Sequence, residues 1–135
     1  MLSRAIRTST FRSLPFASTR FFHATRPAMT VHIVKTADEF NSAIKNNKVV
    51  LVDCFAEWCG PCKAIAPILE KHSNSEEFKD VHFLKFDVEE IPDITAQLNI
   101  RAMPTFLIYK DGERADELVG ANPGALQQLI QKHSA

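Results

Sequence analysis

Cysteine is scarce in this chain of 135 residues: three in all, at positions 54, 59 and 62. So few, so clustered, exclude a secreted fold held together by several disulfides. Glycine is scarcer for its size, four in the whole chain. That leaves no room for the Gly-rich loop that cradles a dinucleotide, so no bound cofactor is expected. No apolar run approaches the length of a membrane span, and no transmembrane helix is expected. There is one Trp and one Tyr, and no basic patch interleaved with aromatics of the kind nucleic acid requires.

Acid is missing altogether from the first thirty residues, which carry five arginines (Arg4, Arg7, Arg12, Arg20, Arg26) and no lysine. The other 105 residues hold the remaining 11 basic groups against all 16 acids. An Arg-, Ser- and Thr-rich, acid-free leader has the composition of a mitochondrial transit peptide, and its arginines argue against a plastid address. Leu2 and Ile6 fall on one helical face with Arg4 and Arg7 opposite. Arg20, Phe22 and Thr25 match a two-step processing signal of the type Arg-x-Phe-x-x-Thr. The expected division is a removable presequence over 1–29 and one folded domain over 30–135, in the mitochondrial matrix.

What is present after residue 30 alternates between two periodicities. VHIV (31–34), VVLVDCFA (49–56) and VHFLKFDV (81–88) read as strands, the second buried on both faces. Thr36 and Glu39 form a capping box ahead of Phe40, Ala43 and Ile44, and Asn46-Asn47 ends that helix. Pro61 opens a helix to about Ser73, with Pro67 expected to kink it. A short helix follows Pro92, from Asp93 to Leu98. TFLIYK (105–110), the Asp111-Gly112 turn and a strand to Val119 form a hairpin. Asn122-Pro123 starts the last helix, through Leu126, Leu129 and Ile130. The order βαβαβαββα predicts an α/β sheet covered by helices.

The stretch AEWCGPCK (56–63) puts Cys59 and Cys62 just past a buried strand, at a helix start. A helix N-terminus presents unpaired N–H groups and a positive dipole end, which favour the reactive thiolate. Cys59 comes first and is expected to be the more exposed, hence the nucleophile; Cys62 is then the resolving thiol. Zinc would need four ligands, and no second pair exists. A permanent staple across so short a loop would remove little chain entropy.

Asp53 interrupts an otherwise apolar strand. Burial raises a carboxyl pKa, so Asp53 is a candidate acid–base group for Cys62, directly or through water. The bland alternative is a strand-end carboxylate satisfied by a lysine. Lys85 holds the matching place in FLKFD and is its natural counter-charge. Pro104, just before a strand, marks a strand start or an unusual bond. Trp58 is either a substrate-facing platform or local packing. Cys54 reads as a small buried hydrophobe.

Together these residues resemble the thioredoxin family. WCGPCK (58–63), Lys85, MPTF (103–106), KDGE (110–113) and VGA (119–121) carry the resemblance, which spans about 31–135. It implies a five-stranded mixed sheet flanked by four helices. It implies a reversible Cys59–Cys62 dithiol–disulfide tuned by Gly60 and Pro61, with Asp53 as buried acid–base group and Lys85 beside it. Pro104 would be cis. The backbone of Met103 would pair with an extended substrate, and Trp58, Gly60, Pro61, Pro104 and Gly120 would line an apolar docking surface. The implied function is protein-disulfide reduction by a monomer that binds no cofactor. Its partners would be peroxiredoxins, other disulfide-bearing clients and an NADPH- and FAD-dependent thioredoxin reductase. A histidine before the second cysteine, as in disulfide isomerases, is replaced here by Pro61, which favours a reductant. An oxidant or isomerase, and a binding subunit in which the dithiol is secondary, are the alternatives.

Overall fold

The computed structural model describes residues 31–134. The leader over 1–29, Thr30 and the processing signal lie outside the described residues.

Five strands form one sheet: β1 (His32–Ile33), β2 (Val49–Phe55), β3 (Val81–Asp87), β4 (Thr105–Lys110) and β5 (Glu113–Val119). Their spatial order is β1-β3-β2-β4-β5. β1 and β2 run parallel to β3, whereas β4 is antiparallel to both β2 and β5. This is the expected mixed sheet. β2 is its middle strand, paired on both edges and buried along its length. That accounts for its continuous apolar run, since a strand covered on both faces has no polar side to show.

Four helices cover the sheet: α1 (Ala37–Asn46), α2 (Gly60–Ser73), α3 (Pro92–Gln97) and α4 (Pro123–His133). Their starts follow the sequence signals. The Thr36 hydroxyl accepts from the Glu39 amide at 3.2 Å, and Glu39 reaches back to the Lys35 amide at 3.0 Å. Asn122 caps α4 by accepting from the Ala125 amide at 3.1 Å. At the hairpin, Asp111 and Gly112 both have positive φ, 52° and 82°, as a two-residue turn matched to strand twist demands.

Two differences from the sequence reading are local. VHIV is a shorter strand than read, His32–Ile33, with Val31 and Val34 buried at its ends and the Val34 amide donating to the Lys85 carbonyl at 2.9 Å. A 3₁₀ turn over Glu76–Phe78 was not foreseen; Ser75 caps it and Phe78 buries its ring against α2.

Alternation along β2 divides the interior into two cores. Val50, Val52 and Cys54 face a cluster with Phe40, Ile44, Phe86 and Ile94, on the α1 and α3 side. Val49 and Leu51 face Ile65, Leu69, Phe106, Leu126 and Ile130, on the α2 and α4 side. Asp53 belongs by parity to the second face, where α2 lies over the sheet. Phe106, fully buried opposite Asp53 in register, anchors that core. Phe106→Ala is expected to cost about 3–5 kcal/mol in chemical denaturation. A loss below about 1 kcal/mol would mean that this core does not hold α2 and α4 down.

Candidate active site

The site forms where β2 ends and α2 begins. Cys59 is the N-cap of α2: its Sγ accepts from the Cys62 amide at 3.2 Å, and its own amide donates to the Ala56 carbonyl at 3.1 Å. A cysteine thus occupies the place where Ser or Asp usually satisfies a free helix amide. Pro61 is the second residue of the helix, where its missing N–H costs nothing. Cys59 and Cys62 are joined in a disulfide, with Cα atoms 5.3 Å apart.

One expectation fails. Cys59 is not the more exposed thiol; both cysteines are 4% exposed. What separates them is their surroundings. The Sγ of Cys59 lies 3.7 Å from the Met103 carbonyl oxygen, beside the cis-proline loop. Cys62 lines an inner cavity of about 270 Å³ together with Asp53, Phe55, Ala56, Glu57, Lys63, Ala66 and Lys85.

Asp53 is 3% exposed, and its Oδ1 has no hydrogen-bond partner among the described residues. Burial pushes its carboxyl from the usual 3.8 up to about 7, against the downward pull of the Lys85 charge. Lys85 stands directly opposite Asp53 in the β2–β3 register. It acts on Asp53 as the nearby counter-charge the sequence suggested, without an ion-pair contact between them. Its Nζ sits over the Phe55 ring, 5.5 Å from the centroid.

The rim is apolar. Trp58 is 66% exposed, and Val119 is also largely exposed. The Trp58 indole N–H donates to Glu89 at 2.8 Å, so the ring is held but not packed away. The Met103–Pro104 peptide bond is cis, as the resemblance implied. Gly120, with φ of 102°, donates its amide to the Pro104 carbonyl at 2.9 Å, which sets it beside that loop. Gly60 and Pro61 are exposed at the helix start. The sequence-selected residues therefore gather at one end of the sheet. Glu89 and Phe55 were not assigned a part in advance. Neither carries a motif signal; each matters only through the residue it touches.

Cys54 lies on the other face of β2 from Asp53, fully buried, and burial pushes its thiol far up. It is the small hydrophobe the sequence suggested. Among the described residues, no three His, Cys, Asp or Glu side chains converge as a metal-ligating group.

The family model described as thioredoxin matches residues 31–132. The chain belongs to the thioredoxin family. Thioredoxin-2 of Pyricularia oryzae is 50% identical over 126 residues, covering 93% of this chain and 72% of that protein. Oxidised mitochondrial thioredoxin 3 of Saccharomyces cerevisiae superposes with a TM-score of 0.71 at 40% identity, over 76% of this chain and 94% of its own. A chain from a structural study of how yeast mitochondrial 1-Cys peroxiredoxin is resolved through glutathione and thioredoxin systems gives 0.71 at 38% identity, covering 78% and 97%. With its paired cysteines, this thioredoxin is a thiol–disulfide oxidoreductase.

The buried carboxyl sets a stability test. Its folded pKa lies above the unfolded value of 3.8. The native state therefore keeps a proton that the unfolded chain releases, and stability falls as pH rises between about 4 and 7. Asp53→Asn should match the parent near pH 3. At pH 8 it should be more stable, by on the order of 4 kcal/mol for a shift of about three units. An equal effect at both pH values in urea denaturation would contradict the raised carboxyl.

Proposed function

We propose that this chain is a mitochondrial protein-disulfide reductase of the thioredoxin type, imported by residues 1–29 and working as the domain 30–135. The observation that carries the chemistry is the placement of the two sulfurs. One faces the docking rim at the helix N-terminus; the other borders the cavity that holds Asp53.

In the reduced protein Cys59 is the nucleophile. The free amides and positive end of α2 favour its thiolate. A client segment docks in extended form along the Met103 backbone, over Trp58, Gly60, Pro61, Pro104 and Gly120. The Cys59 thiolate attacks one client sulfur in line with the client S–S bond. That bond breaks, its far sulfur leaves as a thiolate that takes a proton, and a mixed disulfide forms. Asp53, ionised at this stage, accepts the Cys62 thiol proton, directly or through water in the cavity between them. The Cys62 thiolate attacks Cys59 Sγ, the mixed disulfide breaks, and the second client thiolate leaves. The client gains two electrons and the protein is left as the Cys59–Cys62 disulfide. Gly60 and Pro61 fix the geometry of the exchange, and Lys85 tunes Asp53 by its charge.

Recharging falls to an NADPH- and FAD-dependent thioredoxin reductase. Peroxiredoxins and other disulfide-bearing proteins are the clients, and the protein itself works as a monomer without a bound cofactor. The acid-free, Arg-rich leader supports the mitochondrial address, as does the likeness to mitochondrial thioredoxin 3. The peroxiredoxin study of the yeast neighbour supports the client class.

Cys62→Ser removes the resolving thiol while leaving the attacking one. Expressed from the full gene, it should accumulate as mixed disulfides in the mitochondrial fraction. These should include a peroxiredoxin, on a chain whose N-terminus begins near Thr30. Trapping by Cys59→Ser instead would reverse the two sulfur roles. Recovery only from the cytosol, with residues 1–29 retained, would remove the address.

A further inference from the structure

Phe55 stands two residues beyond Asp53 on β2, so the two side chains project to the same side of the sheet. Lys85 faces Asp53 across the β2–β3 ladder. All three line the cavity that borders Cys62. An ammonium opposite a buried carboxyl would ordinarily close on it, because attraction rises as separation falls and water is excluded. That has not happened. Among the described residues Lys85 makes no ion pair within 4.0 Å, and Asp53 Oδ1 is left without a partner. The Lys85 Nζ instead lies 5.5 Å from the centroid of the Phe55 ring. That is within the roughly 6 Å over which a ring face attracts a cation.

We propose that Phe55 is a positioning residue: its ring holds the Lys85 ammonium out of contact with Asp53, which keeps that carboxyl able to hold a proton beside Cys62. The inference rests on the reading of Asp53 as the proton acceptor for Cys62. Its logic is a balance between two demands. A carboxylate closed onto Lys85 would be a stable ion pair and a poor base. A carboxylate with no cation near it would resist ionising at all. A lysine parked on a ring close by lies between these limits. Burial raises the carboxyl and Lys85 moderates the rise without cancelling it. The other titratable groups around this space are Glu57 on the loop after β2 and Lys63 on α2. Glu70 on α2 lies further along the adjoining groove that also reaches Asp53. Cys54, the neighbour of Asp53 in sequence, lies on the opposite face of the strand.

The test uses the full chain with Phe55 replaced by Met, which keeps bulk but has no ring face, and by Trp, which keeps one. Asp53 is titrated directly, through its carboxyl carbon signal in NMR, in the reduced protein. Phe55→Met should let Lys85 close on Asp53 and lower the Asp53 midpoint by about 1 pH unit or more, the usual effect of a close opposite charge. Phe55→Trp should keep it near the parent value. Adding Lys85→Met to Phe55→Met should abolish the drop. An unchanged midpoint in Phe55→Met overturns the proposal, and so does a drop that persists without Lys85. The pH profile of mixed-disulfide resolution should move with the midpoint in the same variants. Asp53→Asn separates the two readings. If it leaves that kinetic profile unaltered, the proton-acceptor role of Asp53 falls, while the carboxyl titration still decides the part played by Phe55.

Discussion

A carboxyl group buried in the middle strand of the sheet is the constraint around which this protein is arranged. Every other residue of β2 from Val49 to Cys54 is apolar and buried, as its place between β3 and β4 requires. An acid there is largely withdrawn from solvent, with Oδ1 unpartnered among the described residues, and ionising it costs on the order of 4 kcal/mol for a shift of about three units. The fold tolerates Asp53 because it can stay protonated, and because two cores on either side of the sheet supply the offsetting burial.

That cost has a chemical return. A carboxyl near pKa 7 exchanges its proton at neutral pH, whereas an ordinary surface acid would already be ionised. The strand that holds it also delivers the chain to the start of α2, so carboxyl, cavity and both cysteines are fixed by one β–α junction. Cys59 caps the helix beside the Met103 carbonyl; Cys62, one turn in, lines the cavity. The two thiol roles proposed above rest on this difference in surroundings, since the two side chains are equally buried. The apolar rim of Trp58, Pro104, Val119 and Gly120 completes the arrangement from loops that the sheet brings to the same end.

Much of this was legible in the sequence because it is encoded locally. Thr36, Glu39 and Asn122 announce helix starts by their capping chemistry, and Asp111-Gly112 announces a turn that needs two positive φ values. The apolar run around Asp53 marks both a central strand and an anomalous charge within it. What was not legible depends on distance across the chain. Relative exposure of the two cysteines depends on tertiary contacts such as that of Cys59 Sγ with the Met103 carbonyl, 44 residues away in sequence. Lys85 was rightly placed opposite Asp53 by pattern, but its choice of the Phe55 ring over the carboxylate is a competition of tertiary contacts. Glu89 finds Trp58 for the same reason, and Phe78 forms its 3₁₀ turn because a pocket under α2 receives the ring.

The central claim is that this disulfide belongs to a general reductant. The most direct measurement is the reduction potential of the Cys59–Cys62 pair. The full chain would be equilibrated in defined dithiol buffers, followed by Trp58 fluorescence and by alkylation with mass analysis. The account predicts a value near about −270 mV, typical of thioredoxins. A value between about −180 and −120 mV would mark an oxidant or isomerase and contradict it.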